Sequence, residues 1–314
     1  MTFPISNCQS AISRHGGKSA GLCSGKIGNG KLEIENGFSL VEILVVVSLL
    51  SLIVLALMAV FSTTQKAFRA AVTQSDVLEG SRAAVELMTA DLRGLTPSGG
   101  GSNGAVNLTV GPTYYAYSSL LQSLPGGTVP RTNQLNYFFL LTRENTRWTG
   151  VGYAVNAAYA SPLLSLYRYF NYISTTADPR LLFNDFTNQV YNNQWTNSDM
   201  SHLLDGVVHL TLHAYDPKGV VMDTNYPVAS APMFKAYAPT PPSSYETPFY
   251  MFSNTVPAAV ELELGVLEDR TRARAESLPF QTLAQSNYLA QQSGAVHVFR
   301  QRVSIPNVDP SAYP

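Results

Sequence analysis

Gly37-Phe38-Ser39-Leu40-Val41-Glu42, with the apolar run Ile43 to Phe61 behind it, is the stretch that decides how this chain is read. No charged side chain occurs between Ile43 and Gln65, and Lys66 is the first one after Glu42. Those 23 residues are enough for a helix to cross a hydrocarbon core about 30 Å thick. Fourteen of the nineteen residues from Ile43 to Phe61 are Leu, Ile, Val or Phe. At about −0.3 to −0.6 kcal/mol each they favour insertion by roughly 4–8 kcal/mol, against about 3 kcal/mol for one carboxylate. The segment therefore inserts with Glu42 in place. An acid kept at that depth marks a functional site.

A glycine, a hydrophobic N-terminal residue, a glutamate five residues on and a membrane span form a pattern that resembles the processing site of type IV pilins and type II secretion pseudopilins. That resemblance implies cleavage by a prepilin peptidase after Gly37, methylation of the new N-terminal Phe38, and a part for Glu42 in assembly. The competing interpretation is an ordinary signal anchor in which Gly37 and Glu42 fall by chance.

The totals narrow the classes. At 314 residues the chain has room for one or two domains. Charged residues are 13%, against a usual figure of about 25%, and Tyr, Asn, Ser and Thr supply the polarity instead. Net charge is −1, and removing residues 1–37, with four basic and two acidic side chains, leaves −3. That balance carries no electrostatic footprint for nucleic acid. Both cysteines, Cys8 and Cys23, precede the expected cut, so the mature chain has neither disulfide nor thiol chemistry. Leu22 and the lack of an apolar run before it argue against lipid attachment at Cys23.

Residues 1–37 are polar, Gly/Ser-rich and aperiodic, the composition of a disordered leader. Gly17-Lys18-Ser19 ends like a phosphate-binding loop, but Ile12 stands where its first glycine belongs. The leader is long for the family and carries Glu35 and Asn36 where a basic residue is common. Four basic residues precede the span, and Lys66 and Arg69 follow it, so charge orients the helix weakly.

Beyond the span the helix is expected to continue. Ala71, Leu78, Val85 and Leu92 recur every seven residues, with Met88 and Leu95 between them, while Gln74 and Ser81 interrupt the stripe. Gly94, Pro97 and the glycine run to Gly104 stop it. From Phe38 to Arg93 this is a rod of about 84 Å, its first part apolar all round and its second amphipathic for docking a globular domain.

After Gly104 the periodicity falls to two. Strands are predicted at Val106–Val110, Leu135–Thr142, Trp148–Val155, Leu163–Tyr172, Leu203–Tyr215, Pro257–Glu268 and Ala295–Ile305. Asp216–Val256 holds six prolines between Pro227 and Pro248 and reads as a long exposed excursion. Arg270–Gln292 has helical composition broken at Pro279. The fold class is α+β: one long N-terminal helix, transmembrane and then amphipathic, packed on an antiparallel sheet. The expected organisation is a cleaved leader at 1–37, a membrane or filament-core helix at 38–61, an amphipathic helix at 62–95, and a β-rich domain at 96–314 with a Pro/Tyr-rich insert at 216–256.

Three later stretches extend the resemblance: Leu203-Leu204-Asp205-Gly206-Val207-Val208, Val256-Pro257-Ala258-Ala259-Val260-Glu261-Leu262, and Phe299-Arg300-Gln301-Arg302-Val303-Ser304-Ile305-Pro306. Their order is similar to that in minor pseudopilin J and the PilW-type minor pilins, with a narrower likeness to the Verru_Chthon cassette protein C group. The insert has no counterpart there.

Other constellations suggest little chemistry. His209 and His213 share a strand face but stand about 13 Å apart, too far for one zinc with bonds of about 2.1 Å. With Thr211 and Tyr215 they are expected to form a solvent face. Glu261 and Glu263, about 7 Å apart, are within the range of a glycosidase pair, yet their alternation with Val260, Leu262 and Leu264 is that of a half-buried strand. Arg270, Arg272 and Arg274 beside Glu268, Asp269 and Glu276 read as a solvated helix face. Tyr114–Tyr117 and Tyr237–Phe252 suit either a sticky surface or packing. No catalytic residue, cofactor or metal is expected.

These readings give a non-enzymatic minor subunit of a pilus or secretion pseudopilus, single-pass in the inner membrane with its C-terminal domain outside the cytoplasm. Its implied partners are the prepilin peptidase, other minor and major pilins or pseudopilins, and inner-membrane lipid before assembly, with no nucleic acid. The alternative is a signal-anchored binding or adhesion protein that uses the Tyr/Pro-rich insert.

Overall fold

The computed structural model describes residues 39–99, 104–112, 121–122, 131–132, 134–156, 164–227, 233–237, 248–279 and 283–313. The chain divides into two compact units, Met1–Phe61 and Ser62–Pro314.

Helix α1 (Leu40–Arg93) begins in the first unit and ends in the second. Within the first unit every described side chain from Ser39 to Phe61 is exposed. The two serines inside that stretch of helix turn their hydroxyls onto its own backbone: Ser48 Oγ donates to the Val45 carbonyl and Ser51 Oγ to that of Val47, each at 2.8 Å. Hydroxyls bonded back to the helix in this way expose no unpaired donor to an apolar surrounding, as contact with lipid requires.

The second unit is a nine-stranded sheet with helices on it. Strands β1 (Val106–Pro112), β4 (Asn136–Glu144), β5 (Arg147–Asn156), β6 (Leu164–Ser174), β7 (Met200–Tyr215), β8 (Phe234–Ala236), β9 (Phe249–Phe252), β10 (Ala259–Leu267) and β11 (Val296–Ser304) lie in the order β11-β10-β7-β6-β5-β4-β1-β9-β8. Neighbouring strands run antiparallel. A separate two-stranded pair joins β2 (Leu121–Gln122) to β3 (Arg131–Thr132). Leu135 bridges Leu210 of β7, so the sheet curls until the start of β4 meets β7. All seven strands expected from alternation are present, with ends moved by a few residues. So is the broken helix, as α3 (Asp269–Glu276) and α4 (Leu283–Ala290).

One face of the sheet is covered by the last turns of α1. Val77, Ala84, Val85, Met88 and Leu92, with Leu95 just beyond the helix, join Leu108, Phe138, Leu140, Val151, Tyr153, Leu210 and Leu262 in one core. Met88 and Leu92 are fully buried, and each such side chain removed from water contributes about 1.5–3 kcal/mol. Docking begins later than the heptad pattern suggests: Ala71 is exposed and Leu78 half-buried. Ser81, which interrupts the stripe in sequence, is buried by donating its hydroxyl to the Val77 carbonyl at 2.7 Å. The helix stops where expected, with Gly94 N–H bonded to Asp91 O and Leu95 N–H to Leu92 O. Asn307 reaches back from the C-terminal segment and donates to the Leu95 carbonyl at 2.9 Å.

The opposite face carries α2 (Arg180–Tyr191), which sequence reading did not anticipate. Its Leu182 and Phe186 pack on Phe139, Leu141, Trp148 and Tyr169. Gly150 and Gly152 of β5 permit that approach, since a Cβ on Gly150 would stand 2.9 Å from Leu182 and one on Gly152 would run into the Phe186 ring.

The insert is a correction to the sequence reading. Its described residues are not an exposed excursion: β8 and β9 extend the sheet beyond β1, and Met222, Tyr226, Phe234, Phe249, Met251 and Val256 are buried in the main core. The prolines expected to exclude strands leave Phe234–Ala236 and Phe249–Phe252 untouched, and β8 is an edge strand. Among the described residues of Tyr237–Phe252, Phe249 and Met251 serve packing, while Tyr237 is 51% exposed. Tyr114–Tyr117 lies outside the described residues.

Candidate functional site

The site proposed from sequence falls at the start of α1. Gly37 and Phe38 lie outside the described residues. Glu42 is exposed in the first turn of α1. Its backbone N–H donates to Ser39 Oγ at 3.2 Å and to Ser39 O at 2.9 Å. Ser39 is thus the N-cap, and Ser39-Leu40-Val41-Glu42 has the S-x-x-E spacing of a capping box. That signal was in the sequence and sequence reading passed over it. The span Leu40–Arg69 is long and apolar enough to cross a membrane, and none of its most apolar window is buried in the protein. A single-pass anchor is consistent with that length, composition and exposure.

A second polar constellation lies on the sheet. On β7, β10 and β11 the register sets His213, Glu261 and Arg302 in one row and Thr211, Glu263 and Arg300 in the next. Arg300 bonds Glu261 and lies 3.1 Å from Glu263. Tyr215 donates its hydroxyl to Glu261 at 2.8 Å, and Arg302 stacks on the Tyr215 ring at 4.2 Å. Burial alone would push the Glu261 carboxyl up, but the Tyr215 and Arg300 hydrogen bonds and the Arg300 charge outweigh it and hold it below its ordinary value.

His209 is 4% exposed and Thr211 1%, and His213 and Tyr215 are half-buried, so this is not the solvent face expected from alternation. The reason lies in neighbours distant in sequence. Gln134 donates its backbone N–H to His209 Nδ1 at 3.1 Å, which puts the ring proton on Nε2, 3.5 Å from Glu263. The two carboxylates are therefore held by cations and hydroxyls of adjacent strands, which is cross-strand stabilisation. Among the described residues no group of three or more His, Cys, Asp or Glu is placed to hold a metal ion.

A third cluster was missed from sequence altogether. Asp91 of α1 meets Arg168 of β6 in a two-pronged ion pair, Nε to Oδ2 at 2.8 Å and Nη2 to Oδ1 at 3.0 Å, and also accepts the hydroxyl of Tyr153 of β5. Burial pushes the Tyr153 phenol up, and the Asp91 charge pushes it further. Burial lowers the Arg168 value, but the Asp91 carboxylate more than offsets this and the net shift is upward. The available signal was Asp91's place on the buried stripe, three residues after Met88 and four before Leu95.

Of the other expected charges, Arg272 pairs with Asp269 at 3.2 Å and Glu276 at 3.0 Å along α3, as on a partly solvated helix face. A shallow cavity of about 220 Å³ at the β8 edge is lined by Asp223, Thr224, Tyr226, Phe234, Lys235 and Tyr237. No family model, no curated protein and no solved structure matches this chain.

Proposed function

We propose that this chain is a non-enzymatic minor pilin or pseudopilin subunit. In this reading it enters the inner membrane, is cut after Gly37 and assembles through α1 into a type IV pilus or a type II secretion pseudopilus. One observation carries the reading: an exposed apolar helix long enough to span a bilayer begins directly after Gly37-Phe38-Ser39, with Glu42 in its first turn. The β-rich unit that follows, with α1 docked on an antiparallel sheet, is the architecture such a subunit needs.

The mechanism is electrostatic. A carboxylate among packed apolar helices requires a cation. Cleavage after Gly37 creates one, the amine of Phe38 on a neighbouring subunit, so processing switches on an assembly contact. Size and the folded insert favour a minor, tip-type position over a repeated one. Other minor and major subunits and the prepilin peptidase are its partners.

Mass spectrometry of the membrane-bound chain is expected to find an N-terminus at methylated Phe38. A form that begins upstream of residue 38 overturns the proposal. Glu42→Gln is expected to leave cleavage intact and to abolish most incorporation, read by immunoblot of sheared filaments or of cross-linked assemblies. Normal incorporation of that variant removes the amine–carboxylate pairing. The second reading, an anchored binding protein, is favoured by the cavity beside Tyr226, Phe234 and Tyr237; an intact leader in the same spectrum supports it.

A further inference from the structure

The nine-stranded sheet ends at β8 on one side and at β11 on the other. Strand β8 offers three residues, whereas β11 presents nine, an edge of about 30 Å. A long edge is a template for a further strand. The register shows which groups of β11 are free. Glu268 N–H donates to Ala295 O at one end of the β10–β11 ladder and Ile305 N–H to Ala258 O at the other, so the odd-numbered residues between them bond β10. Val298, Arg300, Arg302 and Ser304 therefore turn their backbone N–H and C=O outward, and no described residue bonds those groups. Val298 is 41% exposed and the Arg300 side chain 65%, so the edge is open to solvent there.

The side chains define what fits. On its paired side β11 lies against Val260-Glu261-Leu262-Glu263-Leu264, with Glu261 opposite Arg302 and Glu263 opposite Arg300. Val260, Leu262 and Leu264 stand opposite Val303, Gln301 and Phe299. Arg300 takes both carboxylates. Arg302 meets none among the described residues and stacks on the Tyr215 ring instead. On the other face Phe299 packs against the core but is only half-buried. The open side thus lacks what β10 supplies on the closed side, an acid for Arg302 and an apolar cover for Phe299. We infer that the β11 edge takes up, as an added strand, an extended segment of another polypeptide in which acidic and apolar residues alternate. A second copy of β11 does not qualify, since it would set arginine against arginine. The inference does not rest on the filament reading.

Titration of the full-length chain in detergent micelles tests it. The probe is a peptide of about ten residues in which Glu alternates with Val, and the control carries Lys in place of Glu. By hydrogen exchange read in NMR spectra, the amides of Val298, Arg300, Arg302 and Ser304 are expected to slow at least about tenfold with the Glu peptide. Those of His297, Phe299, Gln301 and Val303, already bonded to β10, should not change. The Lys peptide is expected to bind at least about tenfold more weakly. Val298→Pro removes one outward donor and leaves the β10 ladder whole, so it should weaken the Glu peptide while the chain still melts cooperatively. Equal binding of the two peptides, or no slowing at those four amides, overturns the inference. So does slowing that grows with chain concentration and no peptide, which makes the occupant a second copy. If Val298→Pro does not fold, the amide pattern of the unaltered chain decides alone.

Discussion

Replacing Asp91 by Ala leaves the half-buried Arg168 guanidinium with no carboxylate, a loss expected to cost about 1.5–3 kcal/mol in chemical denaturation of the β-rich unit. Asp91→Asn should cost less, because the amide oxygen still accepts from Tyr153 or Arg168. Glu261 gives a prediction in pH. Its carboxyl is held below its ordinary value in the folded state, so its contribution is fully present above the unfolded value near 4.5 and is lost as pH falls through the lower folded value. Glu261→Gln is expected to lower the melting temperature at pH 7 and to flatten its decline below pH 4.5; an unchanged acid profile contradicts this. At this scale the sequence was uneven. The apolar helix that follows Glu42 could be read directly, whereas His209 and Glu261 looked like ordinary alternation and Asp91 drew no reading at all. Their burial depends on Gln134, Arg300 and Arg168, residues far away in the chain.

Among elements, α1 was the most legible, since a contiguous apolar run and a heptad stripe are local signals. Within it the boundary of docking was not, because Ala71 and Val85 look alike in sequence and only the reach of the sheet separates them. Leu92→Ala is expected to destabilise the β-rich unit by about 2–5 kcal/mol, and Ala71→Ser by less than about 0.5 kcal/mol, measured as denaturation midpoints. Helix α2 escaped notice although Leu182, Phe183, Phe186 and Val190 stand at helical spacing, because the stretch is only twelve residues long and has no side-chain cap at its start. Its site is marked instead by Gly150 and Gly152 across the sheet. Gly152→Val should therefore unseat α2, lowering the melting temperature and exposing the α2 peptide to hydrogen exchange before the β10–β11 pair opens.

For the whole molecule, the division at Phe61/Ser62 predicts that a chain starting at Ser62 folds without detergent. It should be monomeric by light scattering and melt cooperatively, whereas the full-length chain should partition into membranes. Failure of Ser62–Pro314 to fold would mean the apolar half of α1 supports the sheet. What sequence alone determined is the long helix with its apolar first half, long enough to cross a membrane, and the seven strands whose side chains alternate, because each follows from periodicity within a few turns of chain. What only tertiary structure decided is that the proline-rich insert supplies β8 and β9, that a polar row on β7 and β10 is buried, and that Asp91 meets Arg168 across 77 residues. Those outcomes depend on which surfaces the sheet brings face to face, and no local pattern of residues encodes that.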